Sequence, residues 1–111
     1  MAAKSSSPPS TVGQVRDVFP KLGELTDKVL FGDVWERKGL SKRDRSLVTL
    51  TALTVLGQPE QLRGHLWRAL DNGVTKEEIC EAITHLAFYC GWPHAGSAAL
   101  VAKRVFEERG V

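Results

Sequence analysis

Leu62-Arg-Gly-His-Leu-Trp-Arg-Ala-Leu-Asp-Asn-Gly-Val-Thr75 decides how this chain is read. Leu62, Leu66, Ala69 and Leu70 recur at three- and four-residue spacing, which lines one face of an α-helix. Pro59 suits the first turn, where its missing N–H costs nothing. Gly73 stops the helix, and Thr75 with Glu78 opens the next at capping-box spacing. On the edge of the apolar face stands His65, one turn from Gln61 and Ala69, with Arg63 and Arg68 close in sequence. An imidazole titrates near neutral pH and can move a proton. His65 is therefore either a packed edge residue or a proton-transfer group.

The same periodicity extends outward in both directions. After Thr75, Ile79, Ile83, Leu86, Ala87 and Cys90 form a stripe that ends at Gly91-Trp92-Pro93. Ala95, Ala98, Ala99, Ala102, Val105 and Phe106 form a last one, stopping at Gly110. Upstream, Ser41 and Asp44 have capping-box-like spacing and open a helix to about Leu56. That helix is apolar nearly all round, through Leu47, Val48, Leu50, Ala52, Leu53, Val55 and Leu56, so its burial calls for a partner subunit. Val34 to Leu40 reads as a connector anchored by Trp35. Before it, a helix through Leu22, Leu25, Val29 and Leu30 ends near Gly32. A first segment, N-capped by Thr11, carries Val12, Val15, Val18 and Phe19 up to Pro20. The expected organisation is a flexible tail over residues 1–10 and one helical domain over 11–111.

At 111 residues the chain fits one domain, small enough that self-association would help bury apolar surface. Fifteen basic and thirteen acidic residues leave a formal charge of +2, without a basic run, which argues against nucleic acid. Lys42, Arg43 and Arg45 are interrupted by Asp44 and read as a solvated first turn. No apolar run approaches a membrane span. Met1 to Ser10 is small and polar, with Pro8 and Pro9, and lacks the apolar core of an export signal. The expected compartment is the cytoplasm, where two cysteines stay reduced.

Cys80, His85, Cys90 and His94 suggest metal ligands by spacing. Helical residues five apart are rotated by about 140°, so the first three diverge and no metal site is expected. Cys90, ahead of a helix start at Pro93, could have an activated thiol, but it lies on the apolar stripe and reads as a small packed hydrophobe. Cys80 lies beside that stripe and reads as structural. Trp35, Trp67 and Trp92 read as core or interface anchors. His85 shares an edge with Glu81 and Tyr89, away from the stripe, an exposed or subunit-contacting position. His94, in a first helical turn, is left open between a surface residue and a pocket mouth.

The chain resembles the carboxymuconolactone decarboxylase family, within the wider alkylhydroperoxidase-D-like superfamily. The resemblance is carried by Leu40-Ser-Lys-Arg-Asp-Arg-Ser-Leu-Val-Thr-Leu50, Pro59-Glu-Gln-Leu-Arg-Gly-His65, Ala69-Leu-Asp-Asn-Gly-Val-Thr75, Glu78-Ile79 and His85-Leu-Ala-Phe-Tyr-Cys-Gly-Trp-Pro93. Together they span about Trp35 to Phe106. It implies an all-α, single-domain helical bundle that assembles into a ring-like homo-oligomer, a trimer or a hexamer, and uses no cofactor.

In the peroxidase branch of that superfamily a Cys-x-x-Cys pair precedes the histidine on one ridge. Aligned on His65, those positions here are Gln58 and Gln61, and Ser46 replaces an acidic residue. The resemblance therefore implies acid–base rather than disulfide chemistry. In the decarboxylase branch the substrate is a small carboxylated lactone, a dianion whose conjugated carbonyl takes up the electrons left by carbon dioxide. By that resemblance His65 is the general acid; Arg45 is the candidate for binding a carboxylate, since a guanidinium can grip it at two points, and Trp35, His85 and Trp92 are candidates to line the cavity. Two other functions stay open. One is a thiol peroxidase using Cys90 or Cys80; the other is a non-catalytic oligomer that binds a small acid.

Overall fold

The apolar stripes resolve into helices in a computed structural model that describes residues 7–111. These are α1 (Thr11–Gln14), α2 (Pro20–Leu25), a π-helical turn (Thr26–Phe31), a 3-10 turn (Val34–Glu36), α3 (Lys42–Val55), α4 (Pro59–Asp71), α5 (Lys76–Cys90) and α6 (Trp92–Arg109). No described residue lies in a strand.

Local chemistry sets the boundaries of the last four helices. The Asp44 N–H donates to Ser41 Oγ at 3.1 Å and starts α3. Thr75 and Glu78 form the full capping box: the Glu78 N–H donates to Thr75 Oγ1 at 3.1 Å, and the Thr75 N–H donates to Glu78 Oε1 at 3.0 Å. Gly73, at φ +94°, takes the left-handed turn between α4 and α5 that a side chain would resist. Helix α3 packs on α4 and α5 on α6, each pair joined by a short connection, and α4 also packs against α6 and α3 against α5.

The core is a single cluster. Leu50 from α3, Leu62, Leu66 and Ala69 from α4, Ile79 and Ile83 from α5, and Ala98, Ala102, Val105 and Phe106 from α6 are all buried. The alanines of α6 remove side-chain bulk where it meets its neighbours, and Trp67 fills the space toward its end.

Within the protomer, helix α3 buries one face. Only the face formed by Ser46, Leu50 and Thr54 is buried, while Val48 is 62% and Leu56 67% exposed. Two of those three buried residues are polar, and each has a partner. Thr54 Oγ1 donates to the Leu50 carbonyl at 2.7 Å. Asn72 Nδ2 donates to Ser46 Oγ at 3.0 Å, tying α3 to the end of α4.

The N-terminal segment departs from its sequence reading. Ser10, not Thr11, caps α1: its Oγ accepts from the Gly13 N–H at 2.8 Å. That helix stops at Gln14 instead of running to Phe19, and Phe19 leaves the helical region ahead of Pro20. The expected second helix continues as a π-helical turn. Gly32 follows it, where a Cβ would sit 2.7 Å from the Asp27 carbonyl oxygen. Leu22, Leu25, Val29 and Leu30 have the expected spacing, yet they are exposed on the protomer. Of the tail expected over residues 1–10, the first six lie outside the described residues, while Ser10 forms the cap.

Candidate active site

Gln61, Gly64, His65 and Arg68 lie along one edge of α4, three or four residues apart and therefore on one face. The N-terminal segment folds across that edge and leaves a cavity of about 330 Å³. Pro8, Leu30, Phe31, Gln61, His65 and Arg68 are among its lining residues. Gln61 Nε2 donates to Thr11 Oγ1 at 3.2 Å and links α4 to α1 across the rim.

His65 is half-buried in this wall. Its ring stacks on Trp35, with centroids 6.1 Å apart and planes 25° from parallel. Trp35 is 7% exposed, and it also meets Phe31 at 5.8 Å between centroids, so the two aromatic rings form a rigid backing. His65 Nδ1 is buried and has no hydrogen-bond partner among the described residues. Burial pushes the imidazole pKa below its ordinary value, and the nearby charge of Arg68 lowers it further. Both effects favour the neutral ring.

Arg68 supplies the cation. Its Cζ lies 4.1 Å above the Phe31 ring centroid and 5.6 Å from that of Trp35. Arg68 is exposed along part of its length, and its partial burial lowers its pKa, opposed by Asp71, but a guanidinium remains charged at any physiological pH. The second cation at the cavity, Arg16, is held by Asp27 through two hydrogen bonds of 2.8 Å.

The other residues singled out from the sequence lie elsewhere. Arg45 does not line this cavity; its Nη2 donates to the Arg37 carbonyl at 3.1 Å and pins the connector to α3. His85 is exposed and stacks on Tyr89 at 4.9 Å. Trp92 is 65% exposed and meets Phe88 edge-on at 5.2 Å. Neither His85 nor Trp92 borders the His65 cavity.

Cys80 is exposed, not packed, and lines a separate cavity between α5 and α6 with Lys76 and Lys103. Cys90 is half-buried, with Sγ 3.9 Å from the Gly91 carbonyl oxygen. Ten helical residues separate the two thiols by about 15 Å along α5, beyond the reach of a disulfide within one chain. His94 lies over Gly57: a Cβ there would sit 3.3 Å from its Nε2. Among the described residues no three His, Cys, Asp or Glu side chains converge in a way that could hold a metal.

The sequence reading missed Phe31 and the role of Arg68. The signal for Arg68 was present, since it stands three residues after His65 on the same edge. Nothing local marks Phe31, which reaches the site only because the π-helical turn packs on the 3-10 turn.

Comparison with known proteins bears on this arrangement. The model of the carboxymuconolactone decarboxylase family matches residues 20–104. The chain belongs to that family. A 4-carboxymuconolactone decarboxylase of Acinetobacter baylyi is 43% identical over 81 residues, covering 73% of this chain and 60% of the relative. A nitrosuccinic acid decarboxylase of Metarhizium robertsii is 39% identical over 87 residues, covering 77% of this chain and 59% of the relative. A 15.0 kDa protein of Paracoccus denitrificans is 38% identical over 80 residues, 70% of this chain and 60% of that protein. The chain thus spans about 60% of the length of the curated relatives it matches. Phe31, Trp35, His65 and Arg68 fall inside the family match, whereas Ser7 to Val12 precede it.

Proposed function

We propose that this chain is a decarboxylase that needs no cofactor and acts on a small carboxylated acid carrying its own electron acceptor. One observation carries the reading: His65, with an unpartnered buried nitrogen, faces a cavity of about 330 Å³ beside a cation. The names of two relatives support the substrate class. In a carboxymuconolactone the electron pair left by the departing carboxylate spreads through the ring double bond onto the lactone carbonyl. In nitrosuccinic acid one carboxylate sits on the carbon bearing the nitro group. In both, the electron pair left behind spreads onto oxygen atoms of the substrate itself.

The step balances simply. The bond between the substrate carbon and its carboxylate breaks, carbon dioxide leaves, and the electron pair stays delocalised on the substrate. The His65 imidazolium then donates a proton to carbon and is reprotonated from solvent, so each turnover consumes one proton. Burial and Arg68 hold the resting imidazole pKa down and favour its neutral form. An anionic substrate placed beside it raises that pKa, so binding itself loads the acid.

Incubation with 4-carboxymuconolactone and with nitrosuccinate should release carbon dioxide. His65→Ala should lower kcat/KM by about 10²–10⁴-fold, the usual size of a general-acid contribution. Undiminished turnover in that variant would remove His65 from the mechanism, and no turnover of either acid by the parent would remove the reading. Assembly into a ring-like homo-oligomer is part of the same proposal, supported by exposed Val48, Leu56, Phe88, Tyr89 and Trp92. Light scattering should give the mass of a trimer or hexamer; a monomer at micromolar concentration would contradict it.

A further inference from the structure

We infer that Arg68 binds the second, non-reacting carboxylate of the substrate, which makes this cavity selective for dicarboxylates. The inference rests on the decarboxylase reading of the same cavity and assigns the cation that reading requires.

The charges around the cavity single out Arg68. Arg16 is committed to Asp27 by its two-point pair. Asp71, the acidic residue next to Arg68 on its helix, is taken by Arg109 Nη1 at 2.6 Å. Among the described residues Arg68 has no carboxylate partner within ion-pair distance. Glu60 also borders the cavity, but it lies eight residues earlier on α4, about 12 Å along the axis. The site is therefore polarised, with Glu60 at one end, Arg68 at the other, and His65 a single turn from Arg68.

The guanidinium Cζ lies over the Phe31 ring and near that of Trp35, and no carboxylate among the described residues occupies its N–H groups. A guanidinium held that way presents a planar fork that matches a carboxylate through two parallel hydrogen bonds. Its backing on rigid aromatic rings reduces the side-chain freedom lost when the ligand binds.

The cation must take the spectator carboxylate and not the departing one. Decarboxylation moves negative charge off the leaving carboxylate and into the substrate carbon framework. A cation on the leaving group would stabilise the ground state more than the transition state and slow the reaction. A cation on the spectator group stabilises both equally and acts on binding. With the spectator on Arg68, the departing carboxylate is directed toward the apolar wall of Val12, Leu30 and Phe31, and the reacting carbon toward His65.

The test separates this inference from the activity itself. Arg68→Met keeps an unbranched side chain on the Phe31 ring and removes the charge; Arg68→Lys keeps a charge without the fork. With nitrosuccinate as substrate, Arg68→Met should raise KM by about 10- to 100-fold with kcat within about threefold, and Arg68→Lys should recover part of the loss. A loss in kcat with unchanged KM would overturn the spectator role.

A second arm needs no turnover. Calorimetric titration of the full chain with succinate and with its monoamide, succinamate, should show at least about tenfold preference for the diacid. That preference should fall to near unity in Arg68→Met. No preference in the parent chain, or the same preference in the variant, would overturn the inference. The diacid preference without release of carbon dioxide would instead sustain Arg68 and refute the decarboxylase reading.

Discussion

Removing the ring behind His65 tests how the fold sets up the site. Trp35 stacks on His65, touches Phe31 and is 7% exposed, so Trp35→Ala leaves both neighbours without a wall. A tryptophan of this burial removes about 200 Å² from water, which at about 25 cal/mol per Å² corresponds to about 5 kcal/mol. Compact denatured states reduce that figure, and measured aromatic-to-alanine substitutions fall at about 3–5 kcal/mol. For a domain of this size the loss should lower Tm by about 12–20 °C, measured by circular dichroism at one fixed protein concentration. The same substitution admits water to the imidazole, so the His65 pKa, followed by NMR titration, should rise toward its ordinary value. Trp35→Phe should retain most of both properties. A loss below about 1 kcal/mol together with an unmoved His65 titration would refute the account, because the ring would then neither pack the site nor desolvate the histidine.

Three further outcomes follow from the same structure. Because the folded His65 pKa lies below its unfolded value, the unfolded chain binds more protons as pH falls. The His65 contribution is therefore fully present above about pH 6.5 and is lost below it; urea melts at pH 7.5 and 5.0 should show a difference that His65→Gln reduces. Thr75→Ala removes half of the capping box of α5 and should cost about 1 kcal/mol in a urea melt, with Thr75→Ser close to the parent. Cys80 is exposed and Cys90 half-buried, so iodoacetamide followed by mass spectrometry should label Cys80 first. Peroxide converting either thiol to a sulfenic acid that a thiol reductant reverses would revive the peroxidase alternative.

Helices α3 to α6 are legible in the sequence because their determinants are local. The hydroxyl at Ser41, the Thr75 and Glu78 pair, the glycine at 73 and the Gly91-Trp92-Pro93 break act within a turn of where they stand. Where two local signals compete, the reading fails. Ser10 and Thr11 are both N-cap residues, and the chain uses Ser10. On α3 the apolar pattern points all round and does not say which face the protomer buries; that face carries Ser46 and Thr54, because Asn72 and the α3 backbone satisfy them.

His65 is legible as a candidate for the same local reason: one imidazole on the edge of an amphipathic helix, in a segment that resembles a family. Its surroundings are not. Arg45 and Arg68 are equally basic in the sequence, and only the packing of the N-terminal segment puts Arg68 on Phe31 and leaves Arg45 bound to a connector carbonyl. His85 and Trp92 carry the right chemistry and lie outside the cavity. Helix periodicity and capping are properties of neighbours three and four residues apart, so one chain of letters suffices to find them. A site is made by residues such as Phe31 and His65, 34 positions apart, and their meeting depends on how whole elements pack.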